Sequence, residues 1–195
     1  MKVKICGITN LEDAAMCEDL GADALGFVHV DGRGRTLPLG TIREICDSIG
    51  PMTTKVLVCS PRSCSDAERM FEASGADTLQ LHSLEPDDLD VLRHEGMSVI
   101  RAVAPDRSEA VRFAPHTDAL LFEGGTPGTG SAYDYSTVPV GSCRRCIIAG
   151  GLNASNVDAA LRMRPYAVDV SSGVERSPGR KDRELVSGFI RRCKT

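Results

Sequence analysis

Gly21-Ala22-Asp23-Ala24-Leu25 and Gly75-Ala76-Asp77-Thr78-Leu79 are two versions of one string, and Thr117-Asp118-Ala119-Leu120-Leu121 is a third. Each follows a helical pattern and leads into a short apolar run, so each marks where a strand begins. Their spacing is that of a repeated strand-helix unit rather than a solenoid of one fixed period. Working outward, strands are predicted at 3–8, 24–30, 55–59, 78–82, 98–103, 119–123, 146–149 and 167–171. Helical patterns lie between them. Asn10 can cap the first, with Asp13 at the third helical position and Gly21 as its end. The second carries Ile42, Ile45, Cys46 and Ile49 at i, i+3, i+4 and i+7, a single apolar stripe. Others hold Ala67, Met70 and Phe71, span 87–93 and 107–113, or hold Val157, Ala160 and Leu161; a closing helix has Leu185, Val186, Phe189 and Ile190 on one face.

Strands alternating with helices indicate parallel βαβ units in an α/β fold, and eight such strands favour closure into a (β/α)8 TIM barrel. The alternative is an open, doubly wound sheet. No linker or low-complexity tract divides the chain, so residues 1–195 are read as one barrel domain. Barrels typically need ~250 residues and begin near ~200, so the loops of this one must be tight. The Gly-rich stretch 124–135 is long for such a domain and is a candidate lid.

An apolar fraction of 42% suits an ordinary globular core. No apolar run approaches the ~20 residues that cross a bilayer, and the start of the chain has no signal-peptide cleavage pattern, so a cytoplasmic location without a membrane partner is expected. A formal charge of −4 argues against a nucleic-acid partner, which would require a basic stripe. An anionic substrate would have to be held locally, by particular arginines and backbone amides. The eight cysteines fall short of a disulfide scaffold and read mostly as reduced core residues. Cys143-Arg144-Arg145-Cys146 has zinc-like spacing, but no second pair completes four ligands; small hydrophobes flanking a strand is the preferred reading, and no metal is expected.

In a barrel the chemistry lies where the strands end. The first strand delivers Cys6, the second leads to His29 and a loop with Arg33 and Arg35, the fourth ends in Gln80 and His82, and the sixth ends in Glu123. The seventh and eighth run into Gly150-Gly151 and Ser171-Ser172-Gly173, small residues whose backbone amides can close around a phosphate. Each has a plainer alternative when taken singly: an ordinary turn for the glycines, a solvated carboxylate for Glu123, a satisfied core histidine for His82, and packing for Cys6. Together they point to a sugar phosphate.

Several local strings carry a family resemblance. Lys4-Ile5-Cys6-Gly7-Ile8-Thr9, Gln80-Leu81-His82, Ala149-Gly150-Gly151-Leu152-Asn153 and Pro165-Tyr166-Ala167-Val168-Asp169-Val170-Ser171-Ser172-Gly173-Val174-Glu175, followed by Pro178-Gly179-Arg180-Lys181-Asp182, resemble phosphoribosylanthranilate isomerases from first strand to last helix. The resemblance implies an Amadori rearrangement of N-(5-phosphoribosyl)anthranilate in tryptophan biosynthesis, with no cofactor. It implies Cys6 as catalytic base. Its catalytic acid is an aspartate ending the sixth strand, where this chain has Glu123, one methylene longer. It implies Arg35, His82 and Asp169 as substrate contacts, and Gly150, Gly151, Ser171, Ser172 and Gly173 as the phosphate site.

Two departures stand out. The family usually shows Ser-Pro-Arg after the second strand; this chain reads Arg33-Gly34-Arg35, so the arginine expected on the anthranilate carboxylate is Arg35, with Arg33 as rival. The loop after the acid, Gly124-Gly125-Thr126-Pro127-Gly128-Thr129-Gly130 before Tyr133-Asp134-Tyr135, also differs; lacking Gly-Lys-Ser/Thr, it is not a P-loop. Rival functions are another phosphosugar isomerase barrel, such as the histidine-branch aminoaldose isomerase or a dual-substrate enzyme, and a non-catalytic phosphate-binding barrel. The expected assembly is a monomer or a homodimer.

Overall fold

The computed structural model describes residues 1–124 and 131–194. Eight parallel strands close into a barrel in chain order: β1 Lys2–Cys6, β2 Ala24–His29, β3 Thr54–Cys59, β4 Thr78–Leu81, β5 Ser98–Val103, β6 Ala119–Glu123, β7 Cys146–Ala149 and β8 Ala167–Val170. β8 returns to pair with β1, Lys4 lying opposite Asp169. The helices are α1 Leu11–Asp19, α2 Leu39–Ser48, α3 Cys64–Ser74, α4 Pro86–His94, α5 Arg107–Phe113, α6 Val157–Leu161 and, after a small antiparallel hairpin of β9 Glu175–Ser177 and β10 Arg180–Lys181, α7 Arg183–Lys194. The barrel expected from the sequence is thus the one observed. No helix among the described residues is long and apolar enough to cross a membrane.

Strand alternation separates two layers, because successive side chains point to opposite faces. Outward residues such as Val3, Ile5, Leu25, Phe27, Leu79 and Phe122 are fully buried beneath the helices in the larger core. Inward, Ala102, Ala119, Leu121, Ile147, Ala149 and Ala167 form a separate apolar cluster inside the barrel. The helices bury the stripes their spacing predicts, Ile42, Ile45 and Cys46 on α2 and Val157 and Ala160 on α6. On α7 the buried face is Val186, Phe189, Ile190 and Cys193. Leu185, expected on that face, is 43% exposed, because the 100° step per residue turns it out of the 186/189/190/193 stripe.

The junction aspartates have a common task. Val3 N donates to Asp23 Oδ2 (2.8 Å), Lys55 N to Asp77 Oδ2 (2.8 Å) and Val99 N to Asp118 Oδ2 (2.9 Å), while each aspartate's own N–H donates back to the carbonyl of the same strand residue. Each carboxylate therefore satisfies an amide near the start of an odd strand and fixes the even strand beside it. Asn10 caps α1 as expected: Asp13 N donates to Asn10 Oδ1, and Asn10 Nδ2 to Asp13 Oδ2, both at 2.8 Å.

Two features were not expected. Among the described residues, the β6–β7 crossover has no α-helix; two single 3-10 turns, Tyr135–Thr137 and Val140–Ser142, take its place, with Tyr135 and Val138 buried against the core. The β9–β10 hairpin is the other. Within the candidate lid, residues 125–130 lie outside the described residues.

All eight cysteines are free thiols, six of them buried. Burial pushes the thiols of Cys17, Cys46 and Cys59 up to about 12, which makes them inert packing groups. Among the described residues, no group of three or more His, Cys, Asp or Glu side chains is placed to hold a metal ion. Cys146 packs in the core at the start of β7.

Candidate active site

A cavity of about 580 Å³ opens at the carboxyl ends of the strands. Cys6, Arg33, Arg35, His82, Glu123, Gly150, Gly151, Asp169, Ser171 and Ser172 all line it, drawn together from β1, β2, β4, β6, β7 and β8. Of the residues placed at strand ends from the sequence, Gly173 and His29 are absent from the wall; His29 Nδ1 instead lies 2.9 Å from the Leu37 carbonyl oxygen. A Cβ on Gly173 would lie 1.9 Å from the Leu152 carbonyl oxygen, so this glycine lets the loop after β8 pack against the loop after β7. Its part in the fold is close backbone approach between these two loops.

Cys6 ends β1 because Gly7 follows with φ +73 and turns the chain out of the ladder. The side chain is only 9% exposed. Burial pushes the Cys6 thiol up; the Lys4 ammonium opposes that shift, and the Asp169 carboxylate adds to it. Three strands round the barrel, Glu123 ends β6, half-buried on the same cavity.

His82 follows β4, with its Nε2 3.3 Å from Gln80 Nε2. Burial, helped by the Arg101, Lys4 and Arg33 charges, lowers its pKa to about 4, so the imidazole is neutral at pH 7. Gln80 is 3% exposed and lines the cavity, and its Oε1 finds no hydrogen-bond partner among the described residues. A buried acceptor in that state favours a hydroxyl or amine arriving in the cavity.

Arg35 was expected to meet a substrate carboxylate. The structure gives it an internal one: Nε donates to Glu175 Oε1 (2.8 Å) and Nη2 to Oε2 (2.6 Å), a bidentate pair between residues 140 positions apart. Glu175 also accepts from Lys181 Nζ (2.9 Å). Burial works against the Glu175 charge, but Arg35 and Lys181 together hold its carboxyl below the usual range. Lys181 is fully buried and donates in addition to the carbonyls of Cys6 (2.7 Å) and Ser171 (3.2 Å), joining the ends of β1 and β8 to the hairpin.

Gly150 and Gly151 have φ of +90 and +64, left-handed backbone that a side chain would strain. Tyr135 Oη donates to the Gly150 carbonyl (2.7 Å), and Asn156 Nδ2 to that of Gly151 (2.8 Å).

Lys4, Glu175, Lys181 and Tyr135 were assigned no role from the sequence. For Lys4 a signal exists: Lys2, Lys4 and Cys6 alternate with Val3 and Ile5, so the polar set shares the inward face. For the other three, only the closed fold brings distant segments together.

The sequence model of the family described as N-(5'phosphoribosyl)anthranilate (PRA) isomerase matches residues 3–192. A relative from Halorhodospira halophila, named N-(5'-phosphoribosyl)anthranilate isomerase, is 38% identical over 97% of this chain and 94% of its own. The crystal structure of phosphoribosyl anthranilate isomerase from Thermus thermophilus superposes with a TM-score of 0.91 at 36% identity, covering 98% of each chain. A phosphoribosyl anthranilate isomerase in complex with reduced 1-(o-carboxyphenylamino)-1-deoxyribulose 5-phosphate gives 0.88 at 33% identity, covering 100% of this chain and 98% of the other. Barrel, cavity and full-length similarity agree: the chain belongs to the N-(5'-phosphoribosyl)anthranilate isomerase family.

Proposed function

We propose that the chain catalyses the Amadori rearrangement of N-(5'-phosphoribosyl)anthranilate to 1-(2-carboxyphenylamino)-1-deoxyribulose 5-phosphate, a step of tryptophan biosynthesis. One observation carries the reading: a thiol, a carboxyl group, two arginines and two small-residue turns face a single cavity. Glu123 protonates the ribose ring oxygen as the ring opens to an iminium. Cys6 then removes the proton from the carbon bearing the 2-hydroxyl, and the resulting enol relaxes to the ketone. Oxidation at one carbon balances reduction at its neighbour, so the chemistry itself requires no external oxidant. Acid and base groups positioned in this way typically contribute ~10²–10⁴ each in rate.

The remaining residues hold the substrate. Gly150, Gly151, Ser171 and Ser172 receive the phosphate through backbone amides and hydroxyls, in keeping with the usual phosphate position after strands seven and eight. Gly173 supports that turn from behind. Arg35 meets the anthranilate carboxylate through Nη1, which takes no part in the Glu175 pair, and Arg33 lines the opening beside it. Neutral His82, Gln80 and Asp169 face the ribose hydroxyls. The protein works as one barrel domain in the cytoplasm, a monomer or a homodimer, a choice that light scattering of the purified chain decides.

The test is loss of the substrate's anthranilate fluorescence on addition of purified protein. Wild type should turn over, and Cys6→Ala and Glu123→Ala should each lower kcat by ~10²–10⁴ while retaining the far-UV spectrum. Near-normal turnover by Cys6→Ala removes the base assignment. Thermal stabilisation by ligand without any turnover by wild type would leave a binding protein, not an enzyme.

A further inference from the structure

Lys4 sits at the centre of the barrel, below the cavity floor. Its side chain is 4% exposed, and Nζ donates to Asp169 Oδ1 at 2.9 Å, across the β1–β8 register. A buried ammonium so placed normally has one purpose, to be neutralised by its carboxylate. Here a second partner is in reach. The point where a Cβ on Gly26 would lie is 2.8 Å from Cys6 Sγ and 2.9 Å from Lys4 Nζ, so the thiol and the ammonium crowd the same small space, and the missing side chain on β2 is what leaves it open. Cys6 lies opposite Gly26 in the β1–β2 register.

The other charged groups near the thiol do not duplicate this arrangement. Asp169 faces it from β8 and, being negative, works against a thiolate. Lys181 reaches the Cys6 carbonyl rather than the sulfur and is paired with Glu175. Arg35, from the loop after β2, is held by the same glutamate. His82 on the β4 side is neutral at pH 7, and Glu123 stands on β6 across the cavity.

We infer that Lys4 is a positioning residue that stabilises the Cys6 thiolate against the effect of burial, anchored by Asp169 and admitted by Gly26. The inference rests on reading Cys6 as the base. Lys4 does not touch substrate; it acts through the sulfur. Burial alone would discharge Lys4, yet Asp169 and the Cys6 sulfur together keep it protonated well above the usual lysine range. When Cys6 accepts the substrate proton the thiolate charge disappears, and Asp169 keeps the ammonium compensated until the proton leaves.

The experiment measures Cys6 itself. Iodoacetamide alkylates only the thiolate, forming an S–C bond and releasing iodide, and the adduct is quantified by mass spectrometry on the Cys6-containing peptide of the full-length protein. An opposite charge this close typically shifts a pKa by about 1–3 units, so at pH 8.5 the alkylation rate of Lys4→Met should fall about tenfold to a thousandfold. Asp169→Asn should alkylate faster than wild type, a gain that general loosening through loss of Lys4 does not explain. Because Lys4→Met leaves Asp169 as a buried unpaired charge, Lys4→Met/Asp169→Asn, which buries no charge at the pair, is measured beside it and should also react more slowly than wild type. The alkaline movement should appear in the kcat/KM pH profiles of the two Lys4→Met variants. Alkylation at the wild-type rate in both Lys4→Met variants overturns the inference. If alkylation slows as expected while Cys6→Ala keeps full turnover, the role of Lys4 at the sulfur stands and the base assignment is what fails.

Discussion

Replacing Lys181 by methionine tests whether the buried charge cluster under β1 and β8 is a structural keystone. Methionine matches the stem in length and apolar volume, so packing is largely kept and the ammonium alone is removed. That ammonium has no solvent exposure and makes three bonds, to the Cys6 carbonyl at 2.7 Å, the Ser171 carbonyl at 3.2 Å and Glu175 Oε1 at 2.9 Å. Removing one partner of a buried ion pair costs about 3–5 kcal/mol. Arg35 still holds Glu175 in a bidentate pair, which moderates the loss, while two carbonyls lose a charged donor, which adds to it. About 4 kcal/mol is the expected result, a large share of the ~5–15 kcal/mol that stabilises a typical domain.

Urea unfolding followed by circular dichroism provides the measurement, on Lys181→Met, Glu175→Gln and the double variant. The double variant should lose less than the sum of the singles, since it leaves no half of the Lys181–Glu175 pair behind. The pH dependence has a defined sign. Glu175 has its folded pKa depressed by Arg35 and Lys181 in spite of burial, so its contribution is present above the ordinary carboxylate range and disappears as pH falls through the depressed value. The gap between wild type and Lys181→Met should therefore be widest near pH 7 and narrow in acid. A loss below about 1 kcal/mol, the range of an exposed ion pair, would refute the keystone reasoning, as would strict additivity.

Two further outcomes are expected. Gly173→Ala places a methyl carbon 1.9 Å from the Leu152 carbonyl oxygen, a backbone atom with little freedom to withdraw, and overpacking of this kind costs about 3 kcal/mol or more; an unfolding midpoint equal to wild type would show that the two loops are not in firm contact. His82 has its pKa lowered to about 4 from an ordinary 6.5, so the unfolded chain takes up a proton that the folded one refuses between those values; wild type should lose roughly 2.5 kcal/mol on this account between pH 7 and 4.5, and His82→Gln should not, which paired urea titrations at the two pH values would reveal.

The sequence made the strands legible because each is a short apolar run set off by a turn, and every predicted strand limit lies within two residues of the observed one. The first strand was predicted to continue to Ile8, which is fully buried, yet it stops at Cys6 because Gly7 adopts a left-handed conformation. The β9–β10 hairpin left no trace, since Glu175–Ser177 and Arg180–Lys181 are polar and too short to show a period. Residues placed at strand ends by the barrel rule did converge on one cavity. What stayed hidden depends on closure. Alternation along β1 puts Lys4 on the face of Cys6, but only when β8 returns to β1 does its side chain meet Asp169, 165 positions away. Arg35 shows the limit from the other side: its type suits a carboxylate, but the sequence could not say that Glu175 would fill that place.

The aspartate junctions explain how such a polar interior is tolerated. Asp23 clasps β2 to β1, Asp77 clasps β4 to β3, and Asp118 clasps β6 to β5, each at the amino ends of the strands. In the fourth pair Tyr166 stands at the equivalent position before β8, and only the backbone bond from Tyr166 N to the Cys146 carbonyl (2.8 Å) persists. That pair is the one whose β8 carries Asp169, and it is β8 that receives the Lys4 cross-link from β1 and the Lys181 cross-link at its carboxyl end. The side-chain clasp missing at the bottom of the last unit is thus replaced by charged ties higher in the barrel, next to the cavity. Stability concentrated at the amino ends of the first three units leaves their opposite ends free for Cys6, His82 and Glu123. In the fourth, structural and site-forming groups occupy the same few residues, and substitutions around Asp169 and Lys181 should therefore change stability and turnover together.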